Sequence, residues 1–421
     1  MEPMVVATLI FSLTFLLIFI EIIHKTLAVL LGVFLMFIFG VISVTDIGSF
    51  INFDVLGLVF GLMIIVEVIK ESGIFQFLGI KVVKVAKGNT KILFILLMVL
   101  TTIISTFLNS LTSIIIMGAL TFTLCRHMKL NPIPFIIGES IFVDIGDTVL
   151  LISSIPNMLV AGVANFTFMD FVYVTTPFSI ILLLVSIPVL LFFYKGEFKK
   201  EKSLDINGLD EWSVVPSKSF FWKSSVILIF TIIFFMISDY IGITRSFVAI
   251  SSAIIILLLS GADIDNTLKS VDWGTLFFFG GLFIIVGGVE KVGLLNLIAN
   301  KLIAIVGTNK MISIPLLTWV STAASGIIDN VPVTVTLVPI AKTMVATLGM
   351  NMLWWCLILG ANLGGNITPI SSPSNVIAMS IAKSEGHPLP FGEFMKIGII
   401  ITIVHISLAT IYLLFLFFLG V

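Results

Sequence analysis

Gly146-Asp147-Thr148-Val149-Leu150-Leu151-Ile152-Ser153-Ser154-Ile155-Pro156-Asn157 and Gly364-Gly365-Asn366-Ile367-Thr368-Pro369-Ile370-Ser371-Ser372-Pro373-Ser374-Asn375 are short polar segments in otherwise apolar sequence. Each reads as the break of an interrupted membrane helix. At a shift of 218 residues (364 − 146 = 218) the Ser-Ser pairs coincide and Asn157 meets Asn375. Unwound backbone at membrane depth persists only where it is buried in protein or lines a cavity. Matched breaks in two halves of a chain therefore point to a transporter's binding site.

With 59% hydrophobic and 11% charged residues over 421 positions and a mean hydropathy of +1.24, the chain reads as an all-α polytopic membrane protein solvated by the lipid bilayer. The run from Met4 to Ile23 has no basic segment before it and no small-residue cleavage site, so it is expected to be a retained span. Cys125 and Cys356 stand in no metal-ligand spacing. No basic stripe suggests nucleic acid, no phosphate-loop motif suggests ATP hydrolysis, and no cofactor is implied beyond a coupling ion, H+ or Na+.

Apolar runs predict about ten transmembrane helices. Those of the first half are 4–23, 26–44, 53–70, 133–165 (broken) and 172–194, and those of the second are 222–240, 245–260, 273–290, 352–383 (broken) and 391–419. Stretches 91–125 and 311–348 carry polar residues at their middles, Asn109-Ser110-Leu111-Thr112 and Asp329-Asn330-Val331-Pro332. A straight span would bury these groups in hydrocarbon, so both stretches are expected to be re-entrant hairpins.

The resulting organisation is N-terminal spans in 1–52, a first repeat in 53–194, a linker in 195–222, leading spans in 223–271 and a second repeat in 272–421. Asp54 pairs with Asp272, Gly73 with Gly293 and Asn109 with Asn330 at shifts of 218 to 221, which predicts two inverted-topology repeats. Placing the lysines flanking 91–125 in the cytoplasm puts the linker there too and both termini outside. Only Arg245, Lys291, Lys301, Lys310 and Lys342 of the 22 basic residues are then external.

Intramembrane carboxylates are functional candidates by default. Asp144 and Asp147 lie at the first break, where the second half has Asn362 and Gly365, and Asp329 lies at the second hairpin tip. The three are candidates for holding Na+ or carrying a proton, although each could instead cap a helix. The candidate site combines Asn109, Ser110, Thr112, Asp329, Asn330 and Thr334 of the hairpins with Ser153, Ser154, Asn157, Asn362, Asn366, Thr368, Ser371, Ser372 and Asn375 of the breaks. Helix N-termini there would suit an anionic or hydroxyl-rich substrate, and carbonyl ends a cation. No Lys or Arg is expected in this core, and Glu67 and the four histidines are expected near span ends, in contact with water.

Phe107-Leu108-Asn109-Ser110-Leu111-Thr112, Asp329-Asn330-Val331-Pro332-Val333-Thr334 and Gly360-Ala361-Asn362-Leu363-Gly364-Gly365-Asn366-Ile367-Thr368-Pro369-Ile370 resemble the ion-transporter superfamily, in its arsenical-pump, citrate-transporter-like and P-protein branches. The resemblance covers nearly the whole chain. It implies inverted repeats, re-entrant hairpins, alternating access, binding where hairpin tips meet broken spans, and a homodimer. Some arsenical pumps also recruit an ATPase.

Phe142-Val143-Asp144-Ile145-Gly146-Asp147-Thr148 looks most like the arsenite-efflux permeases. Dicarboxylate carriers of the superfamily carry Ser-Asn-Thr at the hairpin tips, from which this chain departs, and some Na+/H+ antiporters share its Asp-Asn tip. The chain therefore reads as a secondary active transporter, not an enzyme, of arsenite/antimonite efflux type. Na+/H+ antiport and citrate or dicarboxylate transport are the alternatives, with a small inorganic ion or small anion as substrate. An intramembrane aspartyl protease, which would also pair two acids, lacks its first motif glycine here.

Overall fold

The structure is a computed structural model that describes residues 2–20, 22–199, 210–307 and 309–420. The helices of the first half are α1 (Pro3–Ile20), α2 (Lys25–Ile38), α3 (Val44–Phe50), α4 (Phe53–Glu71), α5 (Ile74–Ala86), α6 (Thr90–Phe107), α7 (Ser110–Met128), α8 (Ile133–Asp147), α9 (Ile155–Ala164) and α10 (Phe168–Phe193). The second half follows the same order. Its helices are α11 (Lys218–Ser238), α12 (Arg245–Ser260), α13 (Ile264–Ser270), α14 (Trp273–Lys291), α15 (Leu294–Val306), α16 (Ser313–Ser325), α17 (Asn330–Leu348), α18 (Met352–Gly364), α19 (Pro373–Ser384) and α20 (Phe391–Leu419). Among the described residues there is no strand.

Packing repeats as well. The Thr26 hydroxyl on α2 donates to the Gly274 carbonyl of α14 at 3.0 Å, and the corresponding Ser246 of α12 donates to Asp54 of α4. Small residues let these helices touch: a Cβ on Gly61 would meet the Ala249 backbone at 2.6 Å. The hairpin arms lie equally close to the broken spans. A Cβ on Gly146 would meet the Thr102 carbonyl at 2.7 Å, and one on Gly364 the Thr322 carbonyl at 2.6 Å.

The two broken spans cross in opposite directions. The end of α7 meets the end of α19 through the Arg126–Glu385 pair, while Phe166, just past α9, stacks on Trp355 near the start of α18 at 4.2 Å. The face carrying Arg126 also holds the Lys84–Glu211 pair and the Tyr194–Glu393 bond, so it is the linker face. Lys84 there holds the Glu211 carboxyl below the usual range. Residues 200–209 of the expected linker lie outside the described residues. Met4 packs beside Gly293 near the Lys291–Asp46 pair on the opposite face, and α20, 29 residues long, runs from Glu393 at the linker face to that face. Both described ends of the chain therefore lie opposite the linker.

Among the described residues, eight helices are long and apolar enough to cross a membrane, or nine if the bent pair α3–α4 is one span. The chain is a multi-pass membrane protein. All ten expected runs fold as helices, two of them interrupted, after Asp147 and after Gly364. The runs at 26–44 and 245–260 fold as helices of 14 and 16 residues, short of the ~20 that cross a bilayer alone. Hairpin arms α6, α7 and α17 are long enough to cross. The first hairpin's tip nevertheless stops at the first break, beyond which α9 continues for ten residues. Amphipathic α5 and α15, 13 residues each, were not foreseen, because such short pieces fall below spanning length.

Candidate functional site

Both breaks are tied off by an asparagine. Asn157 Nδ2 donates to the carbonyls of Asp147 (2.8 Å) and Leu150 (2.7 Å), and Asn375 Nδ2 donates to those of Gly365 (2.8 Å) and Thr368 (3.1 Å). Each pair of acceptors is related by the same 218-residue shift. Ser153 and Ser371 serve equivalent turns, accepting from the Leu150 and Thr368 amides, and Thr368 Oγ1 also reaches the Gly326 carbonyl at 3.2 Å. The freed carbonyls of a broken helix are thus satisfied without water.

Replacing Asn157 by Ala would strand two buried carbonyls and is expected to cost about 1–3 kcal/mol. Thermal unfolding of the purified variant checks this, and an unchanged midpoint would show that the amide is not the tie.

The two acids of the first break face different partners. Asp147, in the last turn of α8, accepts from Ser105 of α6 at 2.8 Å and from Ser110 of α7 at 2.5 Å, so it joins both arms of the first hairpin. Asp144, one turn earlier, accepts from Ser372 at 3.2 Å and Ser374 at 3.4 Å beyond the second break. Neither caps a helix. The half-helix after the first break begins at Ile155 and is capped by Ser154. Asn109 and Asp329 do cap, accepting from the Thr112 and Val331 amides. Among the described residues no group of three or more His, Cys, Asp or Glu side chains converges on a metal position, so Asp144, Asp147 and Asp329 form no single centre.

A cavity of about 240 Å³ meets the hairpin tips and the first break. Of the residues singled out in the sequence, Asn109, Ser110, Thr112, Asp147, Ser153, Ser154, Asp329 and Asn330 line it. Asp144, Asn157, Thr334, Asn362, Asn366, Ser371, Ser372 and Asn375 do not line it and are buried in the packing of the breaks and hairpins, and the half-buried Thr368 of the second break does not line it either. Four helices present their N-terminal ends to the cavity: α7 through Ser110 to Thr112, α9 through Ile155 and Pro156, α17 through Asn330 and Val331, and α19 through Pro373. Each contributes partial positive charge, while the Thr112 and Val331 amides are already taken by the Asn109 and Asp329 caps and Pro156 and Pro373 carry no N–H.

Three charged lining residues lie outside the site expected from the sequence: Lys25, Glu67 and Asp272. The expectation of a core without Lys or Arg is corrected by Lys25, whose ammonium sits 5.3 Å from the Phe278 ring. It was missed because it opens a helix at a span end, a position that normally faces water, and the packing of α2 on α14 turns it inward. Its repeat counterpart was a usable signal: Arg245, 220 residues later (245 − 25 = 220), ion-pairs with Asp239 at 3.9 Å. Glu67 pairs with Lys70 at 2.6 Å at the cavity wall. His405, expected near a span end, is fully buried in α20 and meets the Ser186 hydroxyl at 2.6 Å, a correction that the length of α20 explains.

A family profile described as citrate transporter matches residues 15–360. A 46 kDa membrane protein of Mycobacterium leprae is 32% identical over 97% of this chain and 98% of its own length. An uncharacterised transporter of Mycobacterium tuberculosis is 34% identical over 97% of each, and the mouse P protein is 26% identical over 94% of this chain and 58% of its own. Among solved structures, the YdaH transporter of Alcanivorax borkumensis aligns over 100% of this chain and 99% of its own, with a TM-score of 0.63 at 13% identity, a likeness of fold. An all-helical membrane chain with paired hairpins and crossed helix breaks, matched by this profile over most of its length, belongs to the citrate transporter family.

Proposed function

We propose that the chain is a secondary active transporter driven by H+ or Na+, which binds a small oxygen-rich solute at the cavity and moves it by alternating access. The observation that carries this is the set of four helix N-terminal ends meeting hydroxyls, amides and Asp147 in one chamber beside broken spans. The helix ends and hydroxyls of this lining suit a hydroxyl-rich solute, and its four carboxylates favour a neutral form of it over a multiply charged anion.

Within that class the arsenite or antimonite type comes first, because arsenous acid offers hydroxyls that both donate and accept. The carboxylates of Asp147, Asp272, Asp329 and Glu67 would repel a trianion. Citrate or dicarboxylate transport is the second reading, favoured by Lys25 and the family match. The linker face is assigned to the cytoplasm of a cell membrane, following the lysine distribution. Repeats of opposite direction would exchange conformations to open each face in turn, in a homodimer.

Proteoliposomes given labelled arsenite, citrate or Na+ under imposed H+ and Na+ gradients test the choice. Arsenite flux without citrate flux supports the first reading. Citrate flux alone replaces it with the second, and Na+-driven proton movement with no solute flux removes both. Lys25→Ala separates them further: it should depress citrate flux strongly and leave arsenite flux close to wild type.

A further inference from the structure

Two cavities approach the hairpin tips from opposite faces, and the repeat relates them. The first, described above, is walled at one end by Glu67 near the end of α4 and Asp272 at the start of α14. That end is the linker face: a Cβ on Gly73, just past α4, would stand 2.9 Å from the Val214 carbonyl of the linker. A second cavity, of about 460 Å³, lies on the opposite face between Asn52 at the start of α4 and Glu290 at the end of α14. Met63, Val66 and Glu67 line the first and Phe283, Val286 and Gly287 the second, each pair 220 residues apart (283 − 63 = 220).

Only the first cavity reaches the hairpin tips. On α14 the first ends at Phe279 and the second begins at Phe283, and on α17 the corresponding residues are Val331 and Val335. Four residues of helix rise about 6 Å, so a single turn of packing separates the second cavity from the site.

Equivalent elements pack differently at the two faces. On the face opposite the linker α9 packs against α4 and α17 against α14, whereas α19 with α14 and α7 with α4 make no comparable contact at the linker face. A Cβ on Gly162 of α9 would stand 3.2 Å from Asn52 Nδ2, while Ser380, its counterpart on α19 (380 − 162 = 218), is exposed. The linker face is therefore open and the opposite face shut.

One charged residue ties the shut face. Arg245 opens α12, and its neighbour Ser246 fixes that helix end to Asp54 of α4. From there the Arg245 guanidinium donates to the Phe166 carbonyl just past α9 and pairs with Asp239 at 3.9 Å. Its counterpart Lys25 is fixed alike, through Thr26 to the Gly274 carbonyl, yet its ammonium lies 5.3 Å from the Phe278 ring in the lining of the open cavity. Ser384, the counterpart of Phe166 (384 − 166 = 218), is exposed.

We propose that Arg245 is the latch that holds the face opposite the linker shut, a positioning residue that fastens the wall of α4 and α12 to the half-helix α9 through the Phe166 carbonyl. Opening that face breaks this tie. The inference rests on the transport reading for what the shut face means, while the sidedness of the cavity can be read with no solute present.

Thiol labelling from each face tests it. Ile155→Cys supplies a half-buried reporter in the first cavity, and the native Cys125 and Cys356 are buried. A charged, membrane-impermeant maleimide is applied to one face at a time of sealed vesicles that hold the full-length chain in one orientation. Labelling should be fast from the linker face and slow from the other. Arg245→Met keeps the apolar stem and loses every donor, so it should raise the opposite-face rate roughly tenfold, about what a charged hydrogen bond is worth. Arg245→Lys can still donate to the carbonyl and should return the rate toward that of the parent. Asp239→Asn weakens the hold on the guanidinium and should give a smaller rise, which keeps the inference testable if Arg245→Met does not fold. Arg126→Ala removes an arginine from the linker face and should leave the opposite-face rate unchanged.

Equal labelling of the parent from both faces overturns the inference, as does an opposite-face rate that Arg245→Met and Asp239→Asn both leave unchanged. Sided labelling without solute flux would discard the transport reading and keep the latch; solute flux with labelling indifferent to Arg245 would do the reverse.

Discussion

Asp147→Asn is expected to reduce solute flux in proteoliposomes to the level of protein-free vesicles while leaving the yield of folded transporter unchanged. The carboxylate accepts from Ser105 and Ser110 on the two arms of the first hairpin and also lines the cavity. An amide of the same shape can keep one or both serine contacts, because hydroxyls exchange donor and acceptor roles, so the packing should survive. What disappears is the negative charge among the helix N-terminal ends. Buried charges in membrane proteins are kept for function more than for stability, so loss of flux with an unchanged unfolding midpoint is the predicted signature. A variant that transports normally would remove Asp147 from the mechanism.

The largest expected structural effect comes from a methyl group. In Gly398→Ala the new Cβ would stand 2.1 Å from the Asn366 carbonyl oxygen. That oxygen belongs to backbone at the second break and cannot rotate aside. Either α20 or the break must shift, and overpacking of this kind costs about 3 kcal/mol or more. The same helix supplies a control, since Gly392 has nothing within 4 Å of its would-be Cβ. Gly392→Ala is expected to be neutral or stabilising by up to ~1 kcal/mol. Size-exclusion profiles and unfolding midpoints of the pair decide the matter; equal behaviour would mean that α20 does not pack against the break as described.

Much of this architecture was legible in the residues. Gly146 and Gly364 announced where the spans break, and the polar tips at Asn109 and Asp329 announced the hairpins, because polar groups at membrane depth leave few alternatives. What each polar residue does was far less legible. Asn157 and Asn375 match across the repeat for a backbone reason, tying carbonyls, yet an asparagine that ties and one that binds a solute look alike in sequence. Asp144 and Asp147 sit three residues apart, and only the crossing of the spans shows that one faces the second break and the other the first hairpin.

Lys25 was hidden by its place at a span end. The short helices α5 and α15 were hidden because spanning length was the criterion that found the others. In each case the missing information was which helix packs against which.

The measurement that bears most directly on the central claim is flux of arsenite and citrate into proteoliposomes of the wild-type chain, recorded with and without imposed H+ and Na+ gradients. An ion-coupled transporter should accumulate one of these solutes above its equilibrium level only while a gradient persists, and lose that accumulation when an ionophore collapses the gradient. Flux that merely equilibrates the solute, indifferent to every ion gradient, would contradict the account, as would folded protein that moves neither solute.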